Sequence, residues 1–120
     1  GRTITTDQAN FDGNDTYNGS VKGQYRRKTV AVGSFKPNAF GLYDMHGNVW
    51  EWVEDCYHYT YAGAPRAGLA VNSNDCTQRV VRGGSWYVGP KVLRSAIRSL
   101  LTSNSRYADV GFRLARTLSP

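Results

Sequence analysis

Few side chains in this sequence are placed to do chemistry. His46 and His58 stand apart with no companions, and no Cys-x-x-Cys pair or Cys/His cluster has the spacing of a zinc site. An imidazole without partners is a poor metal centre, so His46, within Asp44-Met45-His46-Gly47-Asn48, is expected to be a structural turn residue. Cys56 and Cys76 are the only cysteines and flank a loop rich in Gly, Ala and Asn. Two cysteines closing such a loop fit a disulfide, which stabilises by about 3 kcal/mol when formed. Arg82, Arg94, Arg98 and Arg113 are expected to make structural ion pairs with Asp44, Glu51, Glu54 or Asp55, because the guanidinium fork matches a carboxylate.

The elements that would position these groups are short. Val49 to Asp55 alternates Trp50 and Trp52 against Val49, Glu51 and Val53, which predicts a strand. Arg79 to Arg82 and Gly111 to Ala115 read as further strands, and Gly83-Gly84 permits a bulge or a close backbone approach. Lys28 to Phe35 reads as an extended segment closed by Pro37, and Phe40 to Met45 as one helical turn. Residues 10–28 are polar and glycine-rich, a long irregular loop pinned by Phe11, Tyr17 and Tyr25. Within His46-Gly47-Asn48, Gly47 can take a positive backbone angle. No internal repeat and no helix of ordinary length is evident.

A chain of 120 residues is one domain at most. Its 40% hydrophobic content, with three tryptophans and eight tyrosines, suffices for a core. No segment approaches the roughly 18 apolar residues of a membrane span. The net charge of +6 is dispersed apart from Arg26-Arg27-Lys28, which reads as a solvated surface; an anionic ligand or nucleic acid is the alternative, and no nucleic-acid-binding motif supports the latter. Gly1 is not a natural start, so a trimmed piece, a processed product or a fragment is expected, whereas Ala115 to Pro120 reads like a natural terminus.

Four motifs in order carry a resemblance: NAFGLYDMHGNVWEWVED at Asn38 to Asp55, RVVRGGSW at Arg79 to Trp86, LRSA at Leu93 to Ala96 and GFRLAR at Gly111 to Arg116. Together they resemble the formylglycine-generating enzyme (sulfatase-modifying factor) family, from about Gln8 to Leu118. The resemblance implies an α+β fold of the C-type lectin type, loop-rich, with short antiparallel strands and few helices. It also implies that residues 1–120 are the C-terminal part of a larger domain, its N-terminal half missing or on another chain.

The family's oxidase activity uses a cysteine pair that binds copper in the segment corresponding to Trp86 to Arg98. Here Ser95 falls where the second cysteine belongs, and no cysteine lies between Trp86 and the C-terminus. A serine hydroxyl cannot replace a soft thiolate at copper(I). A sister branch binds iron through three histidines, which His46 and His58 cannot supply alone. Calcium is the metal that the resemblance supports, as a structural cofactor. Asn48, Glu51 and the carbonyls of Gly47 and Val49 match one set of family ligands, and Asn10 with the carbonyl of Phe11 matches part of a second. The alternative is that Asn48 supports the turn and Glu51 pairs with an arginine. Members of the family often carry a cysteine at each position corresponding to Cys56 and Cys76, so the resemblance implies that the two pair.

The family includes the variable proteins of diversity-generating retroelements, in which mutated AAC codons become NNC. Met, Trp, Lys, Gln and Glu have no NNC codon, and none of them occurs at the thirteen positions Tyr87-Val88-Gly89, Val92, Ile97, Ser99 to Ser103 and Tyr107 to Asp109. Several of these are apolar residues without periodicity in an expected surface loop. They suggest a ligand-binding face built from Tyr87, Val88, Val92, Ile97, Ser99, Leu100, Leu101, Tyr107 and Asp109. The alternative is that Leu100 and Leu101 are buried under the loop or cover the N-terminal half.

The leading expectation is a non-catalytic, lectin-like domain whose partner is a protein or small ligand on that face. An oxidoreductase of the formylglycine-generating type, or a structural or regulatory domain of a larger protein, is the alternative. The family points to a bacterial or phage-associated protein, and a Cys56–Cys76 bridge would place it at the cell surface or outside the cytoplasm.

Overall fold

The computed structural model describes residues 2–64, 69–72 and 76–116. Four strands form one sheet in the order β3-β2-β1-β4, with β1 at Trp50–Cys56, β2 at Gln78–Arg82, β3 at Ser99–Thr102 and β4 at Val110–Gly111. A 3-10 turn at Pro90–Leu93 is the one helical element among the described residues. Proline at its first position supplies a fixed φ and lacks an N–H that would have no partner there.

The strand expected around Trp50 and Trp52 is realised as β1, in which Trp52 lies opposite Val81 and Glu51 opposite Arg82 in antiparallel register. The register shifts before Cys56, which faces Arg79. Strand β2 is flanked on both sides, and its Val80 and Val81 are each 1% exposed. Burying a valine from water contributes about 1.5–3 kcal/mol, so these adjacent residues anchor the sheet. Strand β4 runs parallel to β1, pairing Trp50 with Val110 and Glu51 with Gly111. A second centre of packing lies beside the sheet, where Ala9, Phe11 and Leu93 are buried with Ile4 and Val88 against them.

Several local expectations are corrected. Ser99 to Leu101 do not lie in an open loop; they form edge strand β3, with Leu100 opposite Val80 and Leu101 opposite Arg79. The cross-strand partner supplies what the local pattern lacks. Gly111 to Ala115 is not a strand throughout, since pairing ends at Gly111. Lys28 to Phe35, expected to be extended, is interrupted by a turn at Val32 and Gly33, and Phe40 to Met45 forms no helical turn. Backbone hydrogen bonds of Lys28 and Val30 go instead to side chains.

Gly47 has φ +75, and a Cβ there would lie 2.3 Å from the carbonyl oxygen of Asn10. A bridge joins Asn10 to Gly47, so the glycine lets the N-terminal loop touch the turn before β1.

Candidate functional site

The turn at His46-Gly47-Asn48 is the crossing point of the chain. Asn48 is 6% exposed, and its amide pairs with one residue's backbone on both sides. Its Oδ1 accepts from Val30 N at 2.9 Å and its Nδ2 donates to Val30 O at 3.2 Å. The same Oδ1 accepts from Asn10 Nδ2 at 3.1 Å. Asn48 N donates to Asn10 O at 2.7 Å, Trp86 N donates to Asn48 O at 2.9 Å, and Gly47 N donates to Gly83 O at 2.8 Å. One short turn thus fastens three loops through Asn48, whose side-chain oxygen and nitrogen are both hydrogen-bonded. His46 belongs to it: Nδ1 lies 2.6 Å from the carbonyl of Leu93. A carbonyl only accepts, so Nδ1 carries a proton and donates it to Leu93 O.

The residues matched to calcium ligands divide into unlike groups. The Glu51 carboxylate sits in the fork of Arg113, whose Nε donates to Oε2 at 2.6 Å and whose Nη2 donates to Oε1 at 2.5 Å. Arg113 also donates to the carbonyls of Tyr43 and Asp44 at 2.9 and 3.0 Å. The hydrogen bond to Glu51 holds the guanidinium above its ordinary pKa. With Glu51 held by a guanidinium and Asn48 Oδ1 accepting two N–H groups, this set fits a cation poorly. Asp44 lines the same small cavity with Gly47, Val49 and Glu51, and sequence reasoning did not assign it there. Its Oδ2 accepts from Gly33 N at 2.7 Å, and its φ of +53 marks it as a turn residue.

The second set fits better. Asn10 is 1% exposed, and its Nδ2 donates to Lys28 O at 2.8 Å and to Asn48 Oδ1. Both partners are acceptors, which fixes the orientation of the amide and leaves Oδ1 buried with no donor. The Phe11 carbonyl also receives no hydrogen bond among the described residues. An orphaned buried amide oxygen and, at the next residue, a carbonyl without a hydrogen bond among the described residues are oxygen ligands of the kind a hard cation such as calcium takes.

The residues assigned to a ligand face occupy different situations. Tyr87 is 65% exposed and Tyr107 59%. Val88 packs on the Ala9–Phe11–Leu93 cluster, and Val92 is half-buried in the 3-10 turn. Ile97, Ser99, Leu100 and Leu101 are half-buried, the last three in β3. Asp109 accepts from Ser85 Oγ through Oδ2 at 2.8 Å and from Trp50 N through its carbonyl at 2.7 Å. Tyr87 is backed by aromatic neighbours, with its ring 5.5 Å from Trp86 edge-on, and Trp86 6.4 Å from Tyr25.

Of the four arginines expected to pair with acids, Arg113 alone does so among the described residues. Arg82 donates to the carbonyls of Ser95 and Ile97, Arg94 to that of Lys91, and Arg98 to those of His58 and Tyr59. Irregular backbone leaves carbonyls without ladder partners, and the arginines satisfy them. Cys56 and Cys76 are joined in a disulfide with a Cα–Cα distance of 5.4 Å.

Comparison with known proteins places this geometry in a family. The model of the sulfatase-modifying factor enzyme 1-like domain matches residues 3–118. A formylglycine-generating enzyme of Thermomonospora curvata is 37% identical over 94 residues, 72% of this chain and 31% of that protein. The solved structure of PvdO from Pseudomonas aeruginosa is similar over 88% of this chain and 38% of its own, at 42% identity and a TM-score of 0.75. Treponema denticola variable protein 1 is similar over 89% of this chain and 35% of its own, at 28% identity and a TM-score of 0.64. The chain spans between 15% and 31% of four curated relatives that it matches, which include serine/threonine-protein kinases of Chlamydia. No helix among the described residues is long and apolar enough to cross a membrane. The loop-rich, C-type lectin-like fold and the run of motifs agree with these matches, and the chain belongs to the sulfatase-modifying factor enzyme 1-like domain family.

Proposed function

We propose that this chain is a non-catalytic, lectin-like binding domain that presents the loops around Tyr87 and Tyr107 to a protein or small ligand. The observation that carries this reading is the state of the cysteines: both are consumed in the Cys56–Cys76 bridge, so the chain offers no thiol for copper. Likeness to a variable protein supports the same reading. Exposed tyrosines give large contact area for little entropy. In this reading calcium is structural, held by Asn10 Oδ1 and the Phe11 carbonyl, where it ties down the N-terminal loop. The disulfide suits a cell-surface or extracytoplasmic setting in a bacterium or phage.

The test is the codon usage of the encoding DNA from Trp86 to Val110, with a search for a nearby adenine-rich near-copy. NNC codons at Tyr87, Val88, Val92, Ile97, Ser99, Leu100, Leu101, Tyr107 and Asp109 beside such a copy support a diversified binding protein. Mixed codons without a template remove diversification. A second reading is favoured by the formylglycine-generating relatives: an oxidoreductase whose thiols lie in residues outside this chain. Copper-dependent oxygen uptake by the longer protein would favour it. The long kinase relatives favour a third, a structural or regulatory unit of a multidomain protein.

A further inference from the structure

A cavity of about 410 Å³ opens on the sheet beside the disulfide, lined by Arg82, Arg98, Tyr59, Tyr61, His58 and Asp55 among others. Its volume is within the range of roughly 300–1,000 Å³ of small-ligand sites. Both arginines are fixed before any ligand arrives. Arg98 donates to the carbonyls of His58 at 2.8 Å and Tyr59 at 3.3 Å. Its guanidinium also lies 4.1 Å from the ring centroid of Tyr61 and 5.1 Å from that of Tyr57. Arg82 donates to the carbonyls of Ser95 and Ile97 at 3.0 and 3.4 Å, and to Tyr61 Oη at 2.8 Å. Tyr61 therefore touches both guanidinium groups and sets them on one cavity.

Every one of these partners is neutral. The single ion pair among the described residues is Arg113–Glu51, so among them neither Arg82 nor Arg98 is paired with a carboxylate. Asp55 is the acid among the described residues of the lining, and its Oδ1 accepts from Val71 N at 2.9 Å. A guanidinium has five N–H groups, so each arginine retains donors beyond the bonds just described. Two charges held rigidly, with unused donors and no ion-pair partner among the described residues, favour an anion, and little ordering cost remains on binding. Tyr59 is 89% exposed and Tyr61 58%, which adds aromatic surface beside the charges.

We propose that this cavity binds a small oxyanion, a carboxylate or a sulfate, through Arg82 and Arg98, with Tyr59 stacking against any apolar body the anion carries. Neither Tyr87 nor Tyr107 lines this cavity, so its failure leaves that reading intact.

The experiment follows the arginine Nε–H resonances of the whole chain while sodium benzoate, sodium acetate or sodium sulfate is added, with chloride at matched ionic strength as reference. The Arg82 and Arg98 signals are expected to move and saturate, while those of Arg2 and Arg106 do not. Saturation by benzoate over sulfate assigns a carboxylate ligand, and the reverse an inorganic oxyanion. Tyr59→Ala is expected to weaken benzoate binding several-fold and leave sulfate unchanged. Arg82→Gln is expected to weaken either anion at least tenfold; because it also loses carbonyl contacts, the wild-type resonances decide should that variant not fold. Shifts that grow without saturation, or that are shared by all exposed arginines, would overturn the proposal.

Discussion

Asn48 grips Val30 as a neighbouring strand would, receiving its N–H at 2.9 Å and giving to its carbonyl at 3.2 Å. A side-chain amide has the same donor and acceptor pair as a peptide group, so it can close a backbone that no strand reaches. The segment around Val30 is irregular for this reason: its ladder partner is a side chain.

Asn48→Ala is expected to lower the unfolding free energy by about 3 kcal/mol, because it leaves Val30 and Asn10 groups buried without partners. Urea denaturation followed by tryptophan fluorescence checks this. A loss below about 1 kcal/mol would show that water replaces the amide and that the turn is not a fastening point.

Gly47→Ala is expected to be at least as severe. The added Cβ would lie 2.3 Å from Asn10 O in a backbone with φ +75, so it meets both a clash and an unfavourable conformation. The contacted atom is backbone and cannot swing aside. Gly19→Ala, at φ +80 with open space around it, isolates the conformational cost. It is expected to lose about 1 kcal/mol. Similar losses in the two variants would remove the argument that close approach matters.

The sequence made the framework legible where a pattern is local. Alternation around Trp50 and Trp52 marks β1, and glycine in a polar turn marks the positive angle at Gly47. Strand β3 was hidden because Ser-Leu-Leu-Thr has no period of its own; its register comes from Gln78 to Val81, some twenty residues earlier. The arginine partners were hidden too, since charge predicts a carboxylate whereas the loops present bare carbonyls. Asp44 went unassigned at the cavity beside Glu51, although an acid next to a glycine turn was a usable signal. The family was legible because its motifs are continuous stretches of the chain.

Reduction of the Cys56–Cys76 bridge is expected to cost about 3 kcal/mol, the chain-entropy value for a loop of this size. The bridge also holds strand β1 at Cys56, whose backbone N–H donates to Val71 at 2.7 Å. Cys56→Ala/Cys76→Ala should therefore unfold at lower denaturant than the oxidised parent, and match the parent measured under reducing conditions. Equal midpoints for the oxidised and reduced parent would remove the bridge from the stability of the fold.

The two groups of calcium-matched residues make opposite predictions. At Asn10 an orphaned buried oxygen gains a partner when a cation binds, so calcium is expected to raise the melting temperature and a chelator to lower it. At Glu51 the carboxylate already belongs to Arg113, whose side chain is 41% exposed, so that pair itself contributes at most about 1 kcal/mol. Glu51→Gln is therefore expected to keep the full calcium response, and Asn10→Ala to lose it. Since Asn10 also donates to Lys28 O, the response is measured as the difference between calcium and chelator within each variant, not against the parent. A response that vanishes in Glu51→Gln and survives in Asn10→Ala would move the ion to Glu51 and require Arg113 to release it. No response in the parent would leave Asn10 Oδ1 to a buried water, which asks for the same kind of donor at the same place.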